Sequence, residues 1–132
     1  MQGLAQSRER LAEEYSVLAQ VAEELQREIQ LAQTLIAEVD SAILALKNIS
    51  SLEDGKEILV PVSAGVYVRA SIKRQEKFLV AIGSNILVEK SLDEAVEFLN
   101  KRKEELSQLV ERRMNDLNKV VARIREIESS IR

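Results

Sequence analysis

The chain has 132 residues, a net charge of −3, 31% charged residues, and neither cysteine nor histidine. That composition excludes disulfides and thiolate chemistry, removes the commonest general base and metal ligand, and leaves no basic block for a nucleic-acid footprint. The four aromatics, Tyr15, Tyr67, Phe78 and Phe98, are too few to anchor a compact core and fit helix seams built from Leu, Ile and Val.

Residues 1–50 read as one coiled-coil helix. Leu4, Leu11, Leu18, Leu25, Ala32, Val39 and Leu46 recur every seven residues, with Arg8, Tyr15, Ala22, Ile29, Ile36 and Ile43 as the companion positions. Twelve of these thirteen residues are apolar, which marks an interhelical seam rather than an ordinary amphipathic face. No Gly or Pro falls between Leu4 and Asp54, so the helix is predicted to reach about Ile49. No apolar run approaches the roughly 18 residues of a membrane span and no signal peptide opens the chain, so a soluble, cytoplasmic protein is expected.

Residues 57–90 change period. Strands are predicted over 58–62, 66–72, 78–82 and 86–89. Ser63-Ala64-Gly65 and Gly83-Ser84-Asn85 carry the turn chemistry of two hairpins, and the charged run 73–77 separates them. Pro61 offers no amide hydrogen to a ladder, so its strand is expected to be an edge or bulged. Two short hairpins do not stand alone. The strand 78–82 is apolar on both faces, and helices occupied with each other have no cover to give it. The segment therefore reads as an assembly module whose apolar residues, Val60, Val62, Val66, Val68, Phe78, Val80, Ile82, Ile86 and Val88, complete a β-barrel with strands of other chains.

Residues 91–132 form the second arm. Ser91-Leu92-Asp93-Glu94 is a capping box. A new seam follows through Leu92, Val96, Leu99, Lys103, Leu106, Val110, Arg113, Leu117, Val120, Ile124, Ile127 and Ile131, with Lys103 and Arg113 covering it by their stems. The arms match in length, and the chain reverses between them, so each buries the other's seam in an antiparallel pair. The expected class is α+β, mostly α: one subunit made of a long antiparallel coiled-coil hairpin joined through two small β-hairpins. Both termini then meet at one tip, which holds Leu4, Leu11, Ile124, Ile127 and Ile131. Helix ends fray, so these residues become intermittently available there.

Catalysis finds no support. Ser63 and Ser84 sit in turns with no histidine to activate them. Gly65 and Gly83 do not belong to a phosphate-binding loop. Adjacent carboxylates such as Glu13-Glu14, Glu23-Glu24 and Glu104-Glu105 point ~100° apart on a helix and do not converge on a metal.

The order of these features is diagnostic. Heptads, "EILVPVSAG" at 57–65, "VAIGSNILVEKSLDEAVEFLNKR" at 80–102, and heptads again resemble the alpha-type subunits of archaeal prefoldin over nearly the full chain. The two hairpins mark the alpha type over the beta type. Family members usually carry Gly in place of Ser63 and often in place of Asn85, but Asn accepts a positive φ. The resemblance implies a hexamer of two alpha and four beta subunits on two β-barrels, with six coiled coils hanging from it. It further implies capture of non-native client proteins at the tips without ATP or any other cofactor, and their transfer to a group II chaperonin. A scaffolding or filament-forming subunit without client holding is the alternative, and an arm specific for one folded partner is a second.

Overall fold

The computed structural model describes residues 2–131. Helix α1 (Gln2–Ser50) is followed by strands β1 (Lys56–Ser63), β2 (Val66–Ile72), β3 (Phe78–Gly83) and β4 (Ile86–Lys90), and then by helix α2 (Leu92–Ile131). The fold is mostly helical α+β, with two separate two-stranded antiparallel sheets, β1-β2 and β3-β4. Two compact units divide it. One holds α1 as far as Ala37 and α2 from Lys103 onward, and the other holds Glu38–Arg102.

The first unit is a helix pair, and polar contacts fix its direction. Glu28 meets Arg113, while Glu14 and Tyr15 meet Arg123 and Glu128, so the early part of α1 faces the late part of α2. The pair is antiparallel. The heptad positions fill its interior: Leu11, Leu18, Ala22, Leu25 and Ile36 are half-buried, and Ile29 and Ala32 are buried. Facing them on α2, Lys103, Leu106, Val110, Arg113, Leu117, Val120 and Ile124 are half-buried and Ile127 is buried. Lys103 and Arg113 thus lie in the seam as their positions demand, with apolar stems under charged heads.

Part of α1 is more apolar than its seam requires. The helix holds an 18-residue window of mean hydropathy 1.4, long and apolar enough by length and composition to cross a membrane. This differs from the sequence expectation of no such run, because Leu31, Leu35 and Leu44 add exposed apolar surface outside the heptads. Ile29, Ala32 and Val39 are buried by packing against protein, as in a coiled coil.

In the second unit α1 ends where its carbonyls find other donors. The Ser51 hydroxyl donates to the Asn48 carbonyl at 2.8 Å, and the Ser51 and Leu52 amides donate to Lys47 and Ile49 at 3.2 Å each. Gly55 then takes φ +78°, a conformation that disfavours any residue with a Cβ. Its amide donates to the Ile72 carbonyl at 2.7 Å, and the Asp54 carboxylate accepts from the Arg74 amide at 2.6 Å. These two bonds join the start of β1 to the end of β2 and fix the charged connector 73–77 beside the helix end.

Helix α2 opens on the predicted capping box. The Ser91 amide donates to the Glu94 carboxylate at 2.9 Å, and the Glu94 amide donates to the Ser91 hydroxyl at 3.2 Å. The hydrogen bond from the Ser91 amide, followed by the contribution of the Ser91 side chain, holds the Glu94 carboxyl below the usual carboxylate range. Ser91→Ala is expected to cost about 1 kcal/mol, the usual loss for an N-cap. Thermal melting followed at 222 nm checks it, and an unchanged melting temperature would count against the cap.

Candidate functional site: the hairpin surface and the terminal helix ends

The two hairpins share one construction. In the first, Val60 pairs with Val68 and Pro61 with Tyr67, and the register then slips so that Ser63 pairs with Val66. In the second, Val80 pairs with Val88 and Ala81 with Leu87, and the slip places Gly83 opposite Ile86. Each slip is a bulge just before a two-residue turn. Ala64 and Gly65 take φ of +49° and +82°, and Ser84 and Asn85 take +47° and +61°, so both turns have the positive φ pair of a type I′ turn. The bulge beside Pro61 is where the missing amide hydrogen predicts one. The observed strands extend the predicted ones by one or two residues at several ends, since the ladders continue onto Lys56, Glu57, Ser63, Gly83 and Lys90, which carry no apolar signal.

Both hairpins leave large apolar side chains in the open. Val60, Val62, Val66, Val68, Ile82 and Ile86, all predicted assembly residues, are exposed. So are Leu59, Tyr67, Leu79 and Leu87, with Leu59 and Leu79 each 65% accessible. These four occupy the opposite face and were not among the residues singled out from sequence. For Leu79 the signal was present in the unbroken run Phe78-Leu79-Val80-Ala81-Ile82, which has no polar side. Monomeric proteins rarely leave a patch of this kind uncovered.

The remaining predicted residues, Phe78, Val80 and Val88, are half-buried, and here the structure corrects the expectation that the helices give this strand no cover. Phe78 and Val80 border a cavity of about 390 Å³ whose other walls include Ala42, Ala45 and Ile49 of α1 and Phe98 of α2. Ala42 and Ala45 lie beside the seam, and their small side chains leave room for a strand while the seam stays occupied. The second hairpin therefore has one face turned to its own helices and one face free.

The terminal end of the helix pair carries the other candidate residues, and their accessibility separates them. Leu4 is 72% exposed and Ile131 45% exposed, Leu11 and Ile124 are half-buried, and Ile127 is fully buried. By the register of the polar contacts, Ile131 lies opposite residues near 10 of α1, so Leu4 has no α2 residue across from it among the described residues. A shallow cavity of about 320 Å³ opens between Ala12, Tyr15, Glu128 and Ile131, and the Tyr15 hydroxyl donates to the Glu128 carboxylate across it at 3.5 Å.

Just inside this end, Arg123 forks onto Glu14. Its Nε and one terminal nitrogen donate to the two carboxylate oxygens at 2.7 and 3.0 Å, and its other terminal nitrogen donates to Glu126 at 3.0 Å. The hydrogen bonds from Arg123 lower the Glu14 pKa against an opposing effect of desolvation, with the Arg123 charge adding to the lowering, and the Arg123 pKa is raised in turn. A depressed carboxylate pKa gives stability that is present above the ordinary carboxylate value and lost as pH falls through the folded one. Acid is therefore expected to loosen this end of the helix pair. Amide exchange of residues 3–13 and 124–131, compared at neutral pH and below the ordinary carboxylate range, checks it. Equal protection at both would show that the fork contributes nothing.

Among the described residues no group of three or more His, Cys, Asp or Glu is placed to hold a metal. What the geometry defines is an antiparallel helix pair and a β-module that leaves much of its apolar surface uncovered within its own chain. A family profile described as "Prefoldin: Prefoldin subunit" matches residues 18–132. The chain is 99% identical over 98% of its length to all of "Prefoldin subunit alpha" of Thermofilum pendens. It is 35% identical over 92% of its length to 88% of the protein of the same name from Methanococcoides burtonii. Among solved structures, a cryo-EM structure of filamentous PFD from Methanocaldococcus jannaschii shares the fold with a TM-score of 0.79 at 24% identity, covering 90% of this chain and 98% of that one. The chain belongs to the prefoldin family, on its archaeal alpha-type branch.

Proposed function

We propose that this chain is the alpha-type subunit of an ATP-independent holding chaperone. Its hairpins join those of beta-type subunits in a hexamer of two alpha and four beta chains built around shared β-barrels. Its coiled-coil tips take up non-native proteins in the cytoplasm and present them to a group II chaperonin. Membership of the prefoldin family supports the chaperone class. The observation that carries the reading to the tip is the loss of cover at its very end, where Ile131 and Leu4 are exposed next to buried Ile127 and half-buried Leu11. A seam that opens at its end offers several weak apolar contacts, and repeated arms convert these into avidity without sequence preference. Leu4, Leu11, Ile124, Ile127 and Ile131 are the proposed client contacts, with Ile127 reached only when the end frays.

The test is the aggregation of an unfolding client, followed by light scattering, with the chain assembled with beta-type subunits and no nucleotide. Suppression at stoichiometric amounts is expected. A scaffold or filament subunit would leave aggregation unchanged. An arm that recognises one folded partner would bind that partner saturably and ignore unrelated unfolded proteins.

A further inference from the structure

The helix pair carries a repeated polar device that the heptads do not require. Two arginines of α2 each reach across to a glutamate of α1 and also to an acid three residues further along α2. Arg113 donates to Glu28 at 2.7 Å and to Asp116 at 3.4 Å. Arg123 donates twice to Glu14, at 2.7 and 3.0 Å, and once to Glu126 at 3.0 Å. The outer bracket is thus the better formed, with a forked pair to α1 where the inner bracket has one bond. A guanidinium held at three points is fixed in orientation as well as in charge.

The outer bracket stands inside the point where the seam loses its cover. Outside it lie buried Ile127 and half-buried Leu11, and beyond these exposed Leu4 and Ile131, the shallow cavity beside Tyr15, and the 3.5 Å contact to Glu128. Inside it, Leu18, Ala22, Leu25, Leu117 and Val120 are all covered. Residues 2–13 of α1 and 127–131 of α2 lie outside, too few to hold helical structure without packing. Opening of that stretch uncovers Ile127 but breaks no forked ion pair between the helices. Opening beyond it requires the two Arg123 hydrogen bonds to Glu14 to break together, after which the next resistance is the Glu28-Arg113 bracket.

We infer that the Glu14-Arg123-Glu126 bracket is the inner limit of opening at the terminal end of the helix pair. Glu14 and Arg123 act as positioning residues that set how much of the seam is offered to a client. The second half of this statement rests on the tip-capture reading above, and the first half stands without it.

Hydrogen exchange by mass spectrometry on the assembled hetero-oligomer tests it. Glu14→Gln is expected to speed exchange about fivefold for amides near 16–24 and 114–122, as for loss of one well-formed exposed ion pair. Amides inside the Glu28-Arg113 bracket, near 30–37 and 103–110, are expected to keep their rates. Arg123→Lys retains the charge but not the fork, and an intermediate effect is expected. Exchanging the charges, with Glu14→Arg and Arg123→Glu together, is expected to restore part of the protection. A uniform acceleration along both arms, or no change between the brackets, would overturn the inference. Capture of an unfolded client is expected to rise about two- to threefold in Glu14→Gln, because the longer opening exposes Leu18 and Leu117. If exchange responds as stated and capture does not move, the bracket stands and the tip-capture reading falls.

Discussion

Aspartate at Leu59 and Leu87 is expected to leave a folded helical hairpin and abolish its assembly. The two residues sit in different hairpins and are 65% and 57% accessible within the chain, so neither substitution removes internal packing. Covering a Leu side chain fully in an interface contributes about 1.5–3 kcal/mol, and an aspartate left in the same place adds an unpaired buried charge. Two such changes together weaken association by several powers of ten. Helical circular dichroism is expected to stay within a few per cent of the parent, since both seams are untouched. Native mass spectrometry or sedimentation with beta-type subunits is the measurement. Persistence of the full oligomer would show that the free faces of the hairpins are not the assembly surface. Val80→Asp is the contrasting control. Val80 borders the cavity beside Ala45 and Phe98, so its replacement is expected to lower the melting temperature of the subunit as well.

The seams were the most legible part of the chain, because a seven-residue period over six heptads admits one helical arrangement, and burial follows it on α1 from Leu18 onward, with Leu11 half-buried and Tyr15 exposed nearer the end. The capping box at Ser91 and the turns at Ala64-Gly65 and Ser84-Asn85 were equally plain, each being local chemistry with one geometry. What could not be read was anything decided across elements. The cavity that Ala42 and Ala45 share with Phe78 depends on small residues beside a seam facing a strand more than thirty positions later. The Arg123 fork is invisible for the same reason: Glu14 and Arg123 are two among many charged residues until the antiparallel register brings them within 2.7 Å. The tip residues were read as one group because heptad position is all that the sequence supplies. Which of them is open and which is closed depends on where the two helices cease to face each other.

That division makes the tip testable residue by residue. Lysine at both Leu4 and Ile131 is expected to reduce client capture about tenfold or more while leaving the melting temperature within a degree or two. Both side chains are exposed in the free chain, so the substitutions remove little packing. Each replaces an apolar contact worth on the order of 1–2 kcal/mol to a client with a strongly hydrated charge, and several arms multiply the loss. Ile127→Ala is expected to do the reverse. Ile127 is fully buried, so truncating it leaves a cavity in the seam and costs about 2–5 kcal/mol of local stability. Faster fraying then exposes the neighbouring Leu11 and Ile124, and capture well below the melting temperature is expected to hold or rise. The readouts are thermal melting and the stoichiometry at which each variant prevents client aggregation. If lysine at Leu4 and Ile131 leaves that stoichiometry unchanged, the client surface lies off the helix ends, and exposed Leu31 and Leu35 on the flank of α1 become the residues to substitute next.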